Sequence, residues 1–317
     1  MILGNQSTNS SNFPYQTCLM PSLPADLQHQ VRHISNYIIV PFDTLLGVMS
    51  FICNALVFVT VTRTKSLRHP SLLMLCSLSI SDLIWALFTL VKNSLTLIHP
   101  YKCLKESIEK TCFAILCYLA TLSNLAMISR DRYLAMSRPM WYRDVSRSSR
   151  RAVKATLLPW VASLLITLTV YILKQTTLSD IMMLGIIFVF NAVCIGMILL
   201  NYIGFFVASK QHSRNLRTGA GNMRAAAGKE KKLTQIISMI LLCFFVSFLP
   251  ALVSPVFIGA LGLPLSPIKP FFNLLLTLNG LLNPLLNCGR NREIRKAMLV
   301  MLRGRHRRIS QRLPTAR

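Results

Sequence analysis

Seven blocks of this chain are apolar for long enough to cross a lipid bilayer, and no other feature constrains its fold as tightly. A membrane helix needs roughly 17 to 25 apolar residues. The blocks run over about residues 36–62, 70–98, 109–136, 152–173, 181–208, 232–259 and 267–288, here called spans one to seven. In lipid, every backbone N–H and C=O must find its partner inside the segment, so isolated blocks of this kind form helices. The expected fold is an all-α membrane protein, a seven-transmembrane helix bundle. Residues 1–35 form an N-terminal tail, 36–290 the bundle, and 291–317 an amphipathic eighth helix with a basic tail.

Composition agrees. The chain is 53% hydrophobic and only 14% charged, against about 25% charged in a soluble domain. The formal net charge of +25 would suit a nucleic-acid binder, but the basic residues lie between the apolar blocks rather than in a foldable basic domain. No nucleic-acid partner is expected. The charge sets orientation instead. Of 35 Lys and Arg, only Arg32, Lys92, Lys102, Lys105, Lys110, Lys174 and Lys269 fall on one side, and the other 28 follow spans one, three, five and seven. The N-terminus is therefore expected outside and the tail in the cytoplasm. The first 35 residues lack a basic n-region followed by an apolar h-region, so span one is expected to act as the signal anchor. Asn5 and Asn9 head glycosylation sequons on the expected outer side.

The inner loop after span five contains Gly228-Lys229, but Glu230 follows where a phosphate loop needs Ser or Thr, and no glycine lies five places before Gly228. After Cys288, Ile294, Met298, Met301 and Leu302 recur at helical spacing among Arg and Lys. That pattern predicts a basic amphipathic helix on the anionic inner leaflet. Cys18, Cys103 and Cys112 lie outside or at the outer rim, where one bridge is permitted and the sequence does not choose the pair.

Polar residues inside lipid are costly and face the bundle interior. Asp82 is the acid in the middle of a span. Asn279, Asn283 and Asn287 follow at four-residue steps on one stripe of span seven, and Asn54 adds an amide on span one. The simplest arrangement clusters them around Asp82. Two readings stand: a hydrogen-bond network that packs helices, or a small polar cavity that holds a cation or protons. Pro250 and Pro284 should kink spans six and seven.

Asp131, Arg132 and Tyr133 fall where span three meets the inner surface. One reading is a snorkelling anchor. The other is an Arg132–Glu230 bridge, since Glu230 is the sole acid in a lysine-rich stretch that opens span six. At an exposed site that bridge would be weak enough to serve as a reversible latch.

Together these residues resemble the rhodopsin-like (class A) G-protein-coupled receptors. Asn54 resembles the family's residue in span one, and Leu78-Ser79-Ile80-Ser81-Asp82 its motif in span two. Asp131-Arg132-Tyr133 and Trp160 match spans three and four. Phe244, Phe248 and Pro250 fit span six, with Phe248 replacing the usual Trp, and Asn283-Pro284 fits span seven. The resemblance implies a plasma-membrane receptor, not an enzyme, whose partners are an extracellular ligand and a heterotrimeric G protein. It implies that span six swings outward about Pro250, releasing Arg132 from Asp131 and Glu230. It implies a Na+ site at Asp82 with Thr121, Asn279 and Asn283, no other cofactor, and a steadying role for Tyr202.

This chain departs from the pattern in places. Asn287 stands where the family has a tyrosine. The loop between spans four and five has no cysteine, so the family's usual bridge from span three cannot form; melanocortin-like receptors share that absence. Ala114 lies five turns before Arg132, where amine receptors of the family carry an aspartate, so the expected ligand is not an amine. Peptide, lipid and small acid remain. Thr277 stands where opsins carry the retinal lysine. Lys92 is a candidate for an anionic ligand group, and Phe248 would floor the pocket. Two other functions compete: a seven-helix protein that has lost signalling, suggested by Asn287 and Phe248, and an ion- or proton-coupled carrier that uses Asp82.

Overall fold

The computed structural model describes residues 25–64, 67, 70–98, 107–145, 149–175, 180–218, 269–290 and 292–310. The described elements are all helices. Span one is Val40–Arg63, continued backwards through a π-helical turn, Ser35–Ile39, into a helix at Ala25–Ile34. Spans two, three, four and five are Pro70–Ile98, Ile108–Ser137, Ser149–Gln175 and Asp180–Thr218. Span seven is Lys269–Arg290, and a terminal helix follows at Arg292–Ser310. A short helix, Pro139–Val145, joins spans three and four. Five of these helices are long and apolar enough to cross a membrane, and Pro270–Leu286 adds a shorter apolar stretch. Span six lies outside the described residues.

Local chemistry explains several boundaries. Ser107 caps span three, its hydroxyl accepting from the Lys110 N–H at 3.4 Å. The π turn sits just ahead of Pro41. Proline has no N–H to offer the carbonyl four residues back, and the Val40 N–H reaches Ser35 O instead, one residue further than in an α-helix. Span five runs ten residues past the apolar block that predicts it, because its polar extension keeps helix-forming residues such as Lys210 and Gln211.

The bundle is inside out relative to a soluble protein. Span four turns Leu157, Val161, Leu164, Leu165, Leu168 and Ile172 outward, at three- and four-residue spacing that forms one stripe for lipid. Its small polar residues turn inward: Ser163 and Thr167 are buried, and Ser123 on span three meets Ser163 at 3.1 Å. Span one packs on spans two and seven, and span three on spans two, four and five. Tyr118, Leu119, Leu122, Cys194, Ile195 and Ile198 make an apolar core between spans three and five.

The terminal helix keeps the amphipathic pattern, but its apolar face meets protein. Ile294 is fully buried in a cluster with Val57, Val61, Leu67, Leu72 and Leu75, and Ala297 and Met298 pack against it. Leu299 and Val300 are exposed on another side of the helix. The helix is therefore docked against spans one and two at one end of the bundle. Ile294→Ala should cost about 2–4 kcal/mol, read as a lower thermal unfolding midpoint of the purified protein. An unchanged midpoint would mean that the helix lies free of the bundle.

Candidate functional site

Two polar regions stand out on the inner faces of the spans, one in mid-bundle and one at the end of span three. In mid-bundle, Asp82 is 2% exposed. Asn283 Nδ2 donates to its Oδ2 at 3.0 Å, and Thr121 Oγ1 donates to its Oδ1 at 3.4 Å. Ser81 Oγ lies 3.2 Å from the same Thr121 hydroxyl. Asp82 thus links spans two, three and seven through neutral donors. Asn279, one turn before Asn283, is also buried.

Asn54 is buried at the same level but does not bond to Asp82. Its Nδ2 reaches the Gly280 backbone carbonyl on span seven at 2.9 Å, and Ser50 O and Oγ at 3.0 and 3.2 Å. Gly280 is what lets span seven come so close. A Cβ there would stand 3.1 Å from Ser50 Oγ and 3.6 Å from Asp82 Cγ. The expected cluster is therefore two linked contacts, one through a carboxylate and one through a backbone carbonyl. Ser50 and Gly280 escaped the sequence reading because neither carries a charge or an amide side chain. Asn287 lies in the helix of span seven, and its side chain lies outside the described residues.

Around this centre, polar side chains stitch neighbouring spans. Trp85 Nε1 donates to Thr277 Oγ1 at 3.2 Å, joining spans two and seven. Tyr118 Oη donates to Asn191 Oδ1 at 2.5 Å, joining three and five. Trp160 Nε1 donates to Ser77 Oγ, which in turn donates to Asn124 Oδ1, both at 2.9 Å, joining four, two and three. Further along, the Phe88 and Phe113 rings stand 5.2 Å apart. Ala114, next to Phe113, and Lys92 are both half-buried. Cys112 is a buried free thiol, while Cys18 and Cys103 lie outside the described residues.

At the end of span three, Asp131 is nearly buried and accepts from Tyr142 Oη at 2.7 Å. Its other oxygen has no partner among the described residues. Tyr142 belongs to the short helix after Pro139, an element that the apolar pattern does not reveal. Arg132 and Tyr133 are half-buried. The Tyr133 ring lies against Gly204 on span five, so closely that a Cβ at that glycine would stand 2.6 Å from Tyr133 Cε2. Asn201, one turn before that contact on span five, donates to Ser129 Oγ at 3.3 Å. Tyr202 packs against the apolar core between spans three and five. Glu230, Phe244, Phe248 and Pro250 lie outside the described residues, as do Asn5 and Asn9.

Comparison with known proteins agrees with this arrangement. The family model of the 7 transmembrane receptors (rhodopsin family) matches residues 53–287. The chain belongs to that family. The 5-hydroxytryptamine receptor 1B of Didelphis virginiana is 24% identical over 181 residues, covering 56% of this chain and 46% of that receptor. The chain thus spans about half the length of this curated relative. The class A resemblance and the seven-helix bundle read from the sequence are borne out.

The Asp131–Tyr142 bond has a measurable consequence. Tyr142→Phe removes the donor and leaves a nearly buried carboxylate short of a partner, which should cost about 1–3 kcal/mol. The unfolding midpoint of the variant should fall accordingly. A midpoint equal to the wild type would show that Arg132 satisfies Asp131 instead.

Proposed function

We propose that this receptor sits in the plasma membrane with its N-terminus outside and passes the binding of an extracellular, non-amine ligand to a heterotrimeric G protein. Asn5 and Asn9 then lie on the glycosylated side. The observation that carries the reading is the end of span three. Asp131 is engaged by Tyr142, and the Arg132 side chain takes part in no ion pair or hydrogen bond among the described residues. The guanidinium is thus left for Glu230 in the resting state and for the G protein once span six moves outward about Pro250. Arginine suits this exchange, because its charge is permanent and its planar fork can trade one acceptor for another.

The same physics argues for the ligand class. An ammonium ligand needs a carboxylate on the pocket wall. Before Asp131, the only acid on span three is Glu109, which is exposed near the helix start. Ala114 offers no charge. Peptides, lipids and small acids remain, with Lys92 a candidate to meet an anionic group and Phe248 the pocket floor.

Asp82, Thr121, Asn279 and Asn283 fit a resident Na+. The carboxylate has only neutral donors in Asn283 and Thr121, so its charge has no counter-ion among the described residues. Na+ would supply that charge, and these four side chains would hold it.

Nucleotide exchange in membranes with a purified heterotrimer tests the reading. Arg132→Ala should abolish basal and ligand-driven exchange. Glu230→Ala should raise basal exchange about twofold to fivefold, the weight of one partly exposed ion pair. Equal exchange by wild type and both variants would identify a seven-helix protein that does not signal.

A further inference from the structure

A second buried polar cluster lies between spans one and two, in the half of the bundle away from the Asp131–Arg132–Tyr133 end. Asp43 precedes Asn54 by eleven residues on span one, and Asn93 follows Asp82 by eleven on span two. Eleven residues are about three helical turns. Each helix therefore brings a polar side chain back to the same face, three turns from mid-bundle.

Asn93 Nδ2 donates to Asp43 Oδ2 at 2.9 Å. Asp43 is 2% exposed, and Asn93 and Thr89 are fully buried. Three oxygens of this cluster have no hydrogen-bond partner among the described residues: Asp43 Oδ1, Asn93 Oδ1 and Thr89 Oγ1. Thr89 is one turn from Asn93 on span two, and Gly47 is one turn from Asp43 on span one. A Cβ on Gly47 would stand 3.9 Å from Thr89 Cγ2, so Thr89 abuts the turn of span one next to Asp43.

The chemistry of the cluster is one-sided. The amide must turn its nitrogen to the carboxylate, which leaves its oxygen without a donor among the described residues. Two of the three unpartnered oxygens carry no hydrogen, and the third is a hydroxyl with free lone pairs. A buried carboxyl whose partner is a neutral amide stays an anion only beside a compensating charge. One carboxylate matches one monovalent cation, whereas a divalent ion draws on more carboxylates and a fuller oxygen shell. Among the described residues no group of three His, Cys, Asp or Glu offers such a shell.

We propose that Asp43 Oδ1, Asn93 Oδ1 and Thr89 Oγ1 hold a small monovalent cation, Na+, between spans one and two, at a site separate from Asp82. The ion ties the two helices together in that half of the bundle.

Thermal unfolding of the purified full chain in nanodiscs tests this, with NaCl replacing choline chloride at constant ionic strength. The Asp82→Asn background removes the other carboxylate assigned to Na+. In that background the midpoint should rise by several degrees with Na+, and Asp43→Asn should abolish the rise. If Asp82→Asn does not fold, Thr89→Val in the wild type decides: half of one Na+-dependent rise should require severalfold more Na+. Loss of all Na+ response on Asp82→Asn alone overturns the second site while leaving the Asp82 site standing. A midpoint that follows pH but not Na+ would place a proton on Asp43, and one that follows neither would place an ordered water there. Either result also overturns the proposal.

Discussion

Asp82 is the contact on which the bundle's interior depends. Lipid tails are as apolar as leucine, so burying leucine between helices gains little in a membrane. What places one span against another is close packing and hydrogen bonds that lipid cannot supply. Asp82 draws in Asn283 from span seven and Thr121 from span three. Asn54 then fastens span one to the Gly280 carbonyl of span seven. Four of the described spans meet at this level, and Gly280 makes room for spans one and two. The exposed leucines of span four follow from the same constraint, since the bilayer is the apolar partner of that outer stripe.

Such contacts suit a receptor better than a rigid scaffold. Each bond across the centre is made by a neutral donor and is worth only a modest amount in a membrane. Several can exchange partners at small net cost. At the end of span three, Asp131 is held by a tyrosine from outside the spans and Tyr133 lies in a notch left by Gly204. In the proposed activation, movement of span six changes the company of Arg132 without dismantling either contact. The docked terminal helix fixes the adjoining end of spans one and two.

Much of this was legible in the sequence. Span length announced the bundle, and Asp82, Asn279 and Asn283 announced a polar interior. The missing parts share physical causes. Asn54 bonds a backbone carbonyl, and every residue has one, so no side-chain pattern marks which will be used. Gly280 and Gly204 act by lacking a side chain. Asp43 stands near the end of an apolar block, where an acid reads as a boundary rather than a buried group. The Tyr142 helix is seven residues long, too short to show a periodicity. Ile294 shows that an amphipathic pattern reveals a face without saying whether lipid or protein covers it.

The claim that polar bonds across spans, rather than apolar burial, hold the centre is tested most directly by a double-mutant cycle. Asp82→Ala, Asn283→Ala and the pair would be compared by equilibrium unfolding in lipid or mild detergent. A coupling of about 0.5–2 kcal/mol between the two positions is the predicted result. Strictly additive losses would mean that the two side chains act independently, and would contradict the account.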